Sequence, residues 1–75
     1  MDKQIYTAIV ETWKLIKKWL GMDWKKDESW EEMASDASSV YKELKTDNEI
    51  IDDYISDMIV KATKLIEDLY KKGMI

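Results

Sequence analysis

Three segments of this chain repeat their apolar residues with the three-and-four spacing of an α-helix, and almost nothing in the sequence interrupts them. There is no proline, and the only glycines are Gly21 and Gly73. A β-rich fold needs more turn residues than that, because tight hairpins depend on residues such as glycine at their corners. The chain is therefore predicted to be all-α, with a single helical domain over residues 1–75.

The apolar spacing divides the chain into three helices and two short connections. It predicts helices at about residues 3–20, 30–45 and 48–72. The connections are too short to cross the molecule, so consecutive helices are expected to run antiparallel. The predicted fold is an up-down-up antiparallel three-helix bundle.

Residues that begin and end helices support these boundaries. Asp2 is the expected N-cap of the first helix. Ser29, with a glutamate three residues later, has the pattern of a capping box, and so does Thr46, with Asp47 as a competing cap. Gly73 is expected to end the third helix, because glycine readily adopts the left-handed conformation found there.

The first and third helices carry wide apolar surfaces. At about 100° per residue, nearly half of the first helix is apolar, which is enough to contact two neighbours. Its apolar residues are Ile5, Ala8, Ile9, Trp13, Leu15, Ile16, Trp19 and Leu20. The third helix has a seam that alternates in steps of four and three, as bundle helices do. The predicted seam comprises Ile51, Ile55, Met58, Ala62, Leu65 and Leu69, and it is widened by Tyr54, Ile59, Ile66 and Tyr70.

The composition removes most catalytic and metal-binding chemistry. The chain has no histidine, cysteine or arginine, so it lacks Ser-His and Cys-His pairs, an arginine clamp and the usual zinc ligands. A carboxylate-only active site needs a cleft that raises one pKa, and a chain this short has little room for one. The acid-rich stretch 47–53 lacks the spacing and the glycine of a calcium loop. We expect no enzymatic activity, no metal and no cofactor.

No part of the sequence has the pattern of a secretion signal or a membrane span. Charged residues interrupt the N-terminal segment, and no small-residue cleavage site follows it. The apolar runs fall far short of the ~18 residues that a membrane span needs. The lack of cysteine fits a reducing compartment. We therefore expect a cytoplasmic protein that does not bind membranes.

Charge is distributed unevenly along the chain. Between Asp27 and Asp57, eleven acidic residues accompany only two lysines, a sum of −9 in a chain whose total is −4. Direct contact with nucleic acid is not expected, because it needs a basic surface. On the third helix, Glu49, Asp53 and Asp57 fall on one line away from the apolar seam, and Val60 projects from the same line. This line is either a solvated face or a partner-binding surface.

The bundle topology is expected to split this acidic block. Its first half lies beside the lysine-rich end of the first helix, so that end of the bundle sums to about neutral. The remaining acidic end is centred on Glu49, Asp53 and Asp57.

All four tryptophans lie within 18 residues, and the chain has no phenylalanine. One interpretation is an aromatic corner where the first helix turns into the second. The other is an exposed aromatic hot spot for a partner. Trp13 and Trp19 lie about 120° apart on the wheel, so burial of both is not assured. Trp24, flanked by charged residues, is predicted to be the most exposed and is a second candidate for partner binding.

Several short segments resemble a known group of proteins. They are Trp13-Lys14, Trp30-Glu31 and Ile59 with Leu65-Ile66-Glu67-Asp68-Leu69. This pattern is similar to small uncharacterised helical proteins carried by prophages and mobile elements of Gram-positive bacteria. Lysine without arginine agrees with an AT-rich genome. The resemblance implies a protein that binds and modulates a host protein, and it implies no particular site residues.

Three hypotheses of function follow. The first is a non-enzymatic protein-protein interaction module, in its sharper form an acidic mimic of a nucleic-acid backbone that occupies a basic groove on a host factor. The second is a structural subunit that self-associates as a homo-oligomer through the wide face of the first helix and the overhang of the third. The third, less favoured, is a membrane-active helical protein, since the first helix has lysines on one side and aromatic and aliphatic residues on the other.

Overall fold

Three α-helices account for most of the molecule, and the computed structural model describes all residues from 1 to 75. They are α1 (Asp2–Leu20), α2 (Asp27–Leu44) and α3 (Glu49–Lys71). Each helix packs against both of the others, and there are no strands. The predicted all-α three-helix bundle is confirmed. Because the chain reverses direction at each connection, α1 and α3 run parallel to each other and antiparallel to α2.

The core consists of two apolar clusters, one toward each end of the bundle. The first is centred on Trp19 and also contains Leu15, Trp24, Met33, Ala62 and Ile66. The second contains Ala8, Ile51, Ile55 and Ile59. Ala37 and Val40 of α2 pack against both clusters and so join them.

The buried face of α3 differs from the predicted seam. Ile59 and Ile66, predicted only to widen the seam, are almost fully buried, whereas Leu65 of the seam is 42% exposed and Met58 is half-buried. On the wheel this corresponds to a rotation of about 50°. The cause is that α3 packs on two helices rather than one, and its core face points between them. The rotation leaves apolar residues outside the core, on the side of α3 that borders α1.

The start of α2 is a correction to the predicted boundary. The helix begins at Asp27 rather than near residue 30, with Lys26 as its N-cap. Ser29 lies inside the first turn, and its hydroxyl donates to the carbonyl oxygen of Asp23 at 2.6 Å. The predicted capping box at Ser29 is therefore wrong. Asp27 and Glu28 instead place two carboxylates in the first turn, where they complement the helix dipole.

The N-terminus of α3 is capped by Asn48, not by Thr46 or Asp47 as the sequence suggested. Asn48 Oδ1 accepts from the backbone N–H groups of Ile50 at 2.9 Å and Ile51 at 3.3 Å. Thr46 serves the connection instead, because its N–H and hydroxyl both donate to Asp52 Oδ1, at 2.7 and 2.9 Å. The carboxylate of Asp52 thus holds the connection onto α3.

The C-terminus of α3 ends as predicted. Gly73 has φ +73°, in the left-handed region. Its N–H donates to the carbonyl of Tyr70 at 3.0 Å, and the N–H of Met74 donates to that of Leu69 at 2.9 Å. This pair of bonds is a Schellman motif. At the other end of the chain, Asp2 is the first residue of α1 and makes no capping bond, so its predicted role as N-cap is wrong.

Candidate protein-binding surfaces

Three of the four tryptophans form an aromatic corner between α1 and α2. Trp24, predicted to be the most exposed, is only 3% exposed, and that prediction is wrong. Its indole N–H donates to the carbonyl oxygen of Trp19 at 2.7 Å, and its ring lies 4.8 Å from that of Trp30. The charged neighbours of Trp24 point to solvent while its own side chain turns inward. Trp24 therefore supports the fold and is not available as a partner-binding residue on this surface.

Hydrogen bonds join these indoles into one network. The N–H of Trp30 donates to the carbonyl oxygen of Trp24 at 3.0 Å, and the N–H of Trp19 donates to Asp36 Oδ2 at 3.1 Å. The ring of Trp30 also meets that of Tyr70 edge-on, with centroids 5.5 Å apart. Every buried indole thus has a polar partner, which is what large amphipathic rings require in a core.

Trp13 is the exception. It is 56% exposed, and its indole N–H has no partner within the chain. The ammonium of Lys17 lies 5.8 Å from its ring centroid, a cation–π arrangement at the surface. The buried positions of α1 are Ala8, Thr12, Leu15 and Trp19. The remainder of the wide apolar arc of α1 is consequently turned toward solvent, beside α3.

The apolar residues left outside the core line one continuous surface. We call it the α1–α3 face; it is formed by Met1, Ile5, Ile9, Trp13 and Ile16 together with Ile50, Tyr54, Met58 and Leu65. Three shallow depressions run along it, and neighbouring ones share first Tyr54 and then Met58 and Lys61. The α1–α3 face therefore extends over most of the length of the bundle. Its most exposed member is Ile50, at 81%.

Thr12 lies beneath this face and is 3% exposed. Its hydroxyl has no hydrogen-bond partner. Every other buried side-chain polar atom of the chain has one. Thr12 lines the same depression as Ile9, Trp13 and Leu65. The floor of the α1–α3 face is therefore apolar apart from one unsatisfied hydroxyl, which lowers the stability of the isolated bundle.

The candidate acidic surface is also present. Glu49, Asp53 and Asp57, here called the acidic row, are all exposed, and Val60 beside them is 59% exposed. None of the three carboxylates forms an ion pair within the chain. The structure thus brings the four predicted residues together on the outer side of α3, and it separates Trp24 from them.

In the first half of the acidic block, Glu32 and Asp36 are paired with a lysine of α1, whereas Asp27, Glu28 and Glu31 form no ion pair. Lys18 Nζ lies 2.8 Å from Glu32 Oε2 and 2.9 Å from Asp36 Oδ2. The hydrogen bond to Asp36, followed by the one to Glu32, raises the pKa of Lys18 above its usual value. Asp36 is the centre of this arrangement, because the same oxygen also accepts from the indole of Trp19. These contacts tie α1 to α2.

Sequence reasoning named the wide apolar face of the first helix as a self-association surface, but it did not join that face to the exposed apolar residues of α3 beside it. The signal was present in the width of the apolar arc of α1, which exceeds what one buried stripe needs. The width of the arc did not by itself indicate an exposed surface, because an arc of the same width could be buried against two neighbouring helices.

No group of three or more acidic side chains is placed to hold a metal ion. No helix is both long enough and apolar enough to cross a membrane. Comparison of the chain with protein-family models, with curated proteins and with solved structures finds no match. The resemblance to small prophage proteins therefore stays a prediction.

Proposed function

We propose that this protein is a non-enzymatic protein-protein interaction module that binds its partner through the α1–α3 face. One observation carries the proposal: Ile9, Trp13, Ile50 and Leu65 are exposed on a single apolar surface while other apolar residues fill the core. Scattered apolar residues are normal on a protein surface, whereas contiguous apolar patches are typical of interaction sites.

The residue types on the α1–α3 face also support this proposal. Trp13 and Tyr54 are large, rigid aromatic side chains, which are enriched at binding hot spots. Polar and charged residues border the face, among them Lys17 and Asp57. An apolar centre with a charged rim is the usual anatomy of a protein-protein interface.

The experiment is site-specific photo-crosslinking in an extract of the cell that makes the protein. A benzophenone amino acid replaces Trp13 in one variant and Lys14 in another. Lys14 is the matched control, because it is the next residue of the same helix, is exposed, and pairs only with Glu11. We expect discrete cross-linked protein products from position 13 and none from position 14. Equal labelling from both positions, or none from either, would contradict the proposal.

A competition step separates specific contact from adhesion to any apolar surface. Excess unlabelled protein should remove the products from position 13, because both molecules occupy the same partner. The variant Trp13→Lys should not compete, because a charge at the centre of the face opposes desolvation.

The acidic row supports a second candidate function. Three carboxylates without ion-pair partners on one exposed helix face could occupy a basic groove that normally binds nucleic acid. The test is the affinity for basic nucleic-acid-binding proteins after Glu49→Gln, Asp53→Asn and Asp57→Asn are combined. Acidic mimicry requires that the affinity falls and that it loses its dependence on salt. An unchanged affinity would exclude the mimic.

A further inference from the structure

We infer that the partner seated on the α1–α3 face is a second copy of this chain, packed antiparallel to the first. The inference rests on the proposed function, because it names the occupant of the same face. It is carried by the distribution of charge along the two helices that border the face and by the size of the face.

The two ends of the face differ in charge because α1 and α3 run in the same direction. On α3, the exposed carboxylate of Asp57 lines the face beside Tyr54 and Met58, and the exposed Asp53 lies one turn closer to the N-terminus. The ammonium group of Lys61 lines the face beside Leu65, and the exposed Lys64 follows it by three residues. Lys64 approaches Asp68 at 3.4 Å, but Lys61 has no ion pair within the chain.

The border formed by α1 adds a positive charge to the C-terminal half only. Lys17 lies near the C-terminal end of α1, beside Trp13. The carboxylates that border the N-terminal half of the α1–α3 face therefore belong to α3. The C-terminal half carries Lys61 and Lys17 without ion pairs, while Lys64 is paired with Asp68.

Only one of the two simple two-fold arrangements pairs opposite charges. A two-fold axis in the contact plane and perpendicular to the helices places α3 on α3 and α1 on α1, each pair antiparallel. Asp53 and Asp57 of one copy then approach Lys61 and Lys64 of the other. A two-fold axis along the helices would instead place like charges at the same level, which is unfavourable.

The size of the face also suits a second copy. The molecule measures 38 Å by 19 Å in its two longer dimensions. A second bundle laid along the whole molecule has an outline on the order of 700 Å² available for contact, close to the ~800 Å² per partner of a standard interface. Full coverage by a second bundle of the same length meets this requirement, whereas a short single helix would leave much of the face exposed.

The test is sedimentation equilibrium of the whole chain and two charge variants. The basic variant carries Asp53→Lys and Asp57→Lys, and the acidic variant carries Lys61→Glu and Lys64→Glu. All four positions are exposed, so the helical circular dichroism of each variant should match that of the wild type. The wild type should show a monomer–dimer equilibrium, and each variant alone should self-associate at least about tenfold more weakly, since several surface pairs of a few tenths of a kcal/mol are reversed.

Mixing the two variants is the decisive arm. In the mixture, a fully basic border meets a fully acidic one, so dimers should return to at least wild-type affinity. A parallel dimer would contradict the inference, because neither variant alone would then associate more weakly than the wild type. A wild type that stays monomeric up to about millimolar concentration would overturn the inference as well, since typical homodimers associate well below that.

The outcomes for the inference and for the proposed function remain distinguishable. If the wild type is monomeric yet position 13 still cross-links to a different protein in the extract, the function stands and the second copy is excluded. If the monomer instead co-sediments with vesicles of phosphatidylcholine and phosphatidylglycerol, the face binds lipid and both proposals fail.

Discussion

Trp24 donates its indole N–H to the backbone carbonyl oxygen of Trp19 at 2.7 Å, so that the connection after α1 folds back onto the end of that helix. The replacement Trp24→Phe removes this hydrogen bond and part of the contact with Trp30. We expect it to lower the free energy of unfolding by about 1–2 kcal/mol. Urea unfolding followed by far-UV circular dichroism measures the change.

The matched control for Trp24 is the exposed tryptophan. Trp13→Phe at low micromolar concentration should change the free energy of unfolding by less than about 0.5 kcal/mol, as exposed substitutions usually do. Equal losses for the two variants would mean that Trp24 does not have the structural role described for it.

Asn48 holds the first turn of α3 through two hydrogen bonds from its side-chain oxygen. Asn48→Ala should lower the free energy of unfolding by about 1 kcal/mol, and Asn48→Asp should retain most of it. Asp47→Ala serves as the control, because Asp47 makes no capping bond. Thermal unfolding of the three variants measures the stability lost at each position. A larger loss of stability for Asp47→Ala than for Asn48→Ala would show that Asp47, not Asn48, caps α3.

Thr12 is expected to reduce stability in the wild type. Its buried hydroxyl has no partner, so Thr12→Val replaces an unsatisfied polar group with a methyl group of similar shape. We expect a gain of about 1 kcal/mol in the free energy of unfolding. The hydroxyl of Thr63 donates to the carbonyl of Val60 at 2.7 Å, so Thr63→Val should bring no such gain. A lower free energy of unfolding for Thr12→Val would show that the hydroxyl of Thr12 does form a hydrogen bond in solution.

The ion pairs of Lys18 should make a small, pH-dependent contribution to stability. Since the pKa of Lys18 is raised in the folded chain, chiefly by Asp36, the contribution is complete below its usual value of 10.5. It is lost as the pH rises through the higher pKa of the folded state. Lys18→Met should therefore be less stable than the wild type at neutral pH, and the difference should narrow under strongly alkaline conditions.

Chemical denaturation at several pH values tests this sign. Lys25→Met is the control, because Lys25 has no carboxylate within ion-pair distance. A stability difference between Lys18→Met and the wild type that widened with rising pH would contradict the arrangement around Asp36.

The number and type of helices could be predicted because they depend on local periodicity, which the sequence states directly. The C-terminus of α3 was also within reach, since Gly73 favours the left-handed conformation that ends a helix. The start of α2 could not be predicted, because the hydroxyl of Ser29 can either accept from a helix N–H or donate to a nearby carbonyl oxygen. In the structure it donates to the carbonyl oxygen of Asp23, a contact that depends on the fold of the preceding turn.

The candidate surfaces, too, could be predicted only in part from the sequence. The exposure of Glu49, Asp53 and Asp57 followed from their position opposite the seam. The burial of Trp24 did not, because charged neighbours say nothing about the direction of one side chain in a turn. The α1–α3 face arose from the rotation of α3, which depends on how two neighbouring helices share its apolar residues. No single helical wheel contains that information.

The central claim, that the α1–α3 face is covered by a second copy, is tested most directly by the tryptophan side-chain signals in a ¹⁵N–¹H NMR dilution series. Trp19, Trp24 and Trp30 donate their indole N–H groups within the chain, and only Trp13 does not. We predict that the indole signal of Trp13 shifts as concentration rises while the other three stay fixed, and that Asp53→Lys with Asp57→Lys moves the midpoint of this shift to at least about tenfold higher concentration. Four signals that remain unchanged from micromolar to millimolar concentration would contradict the claim.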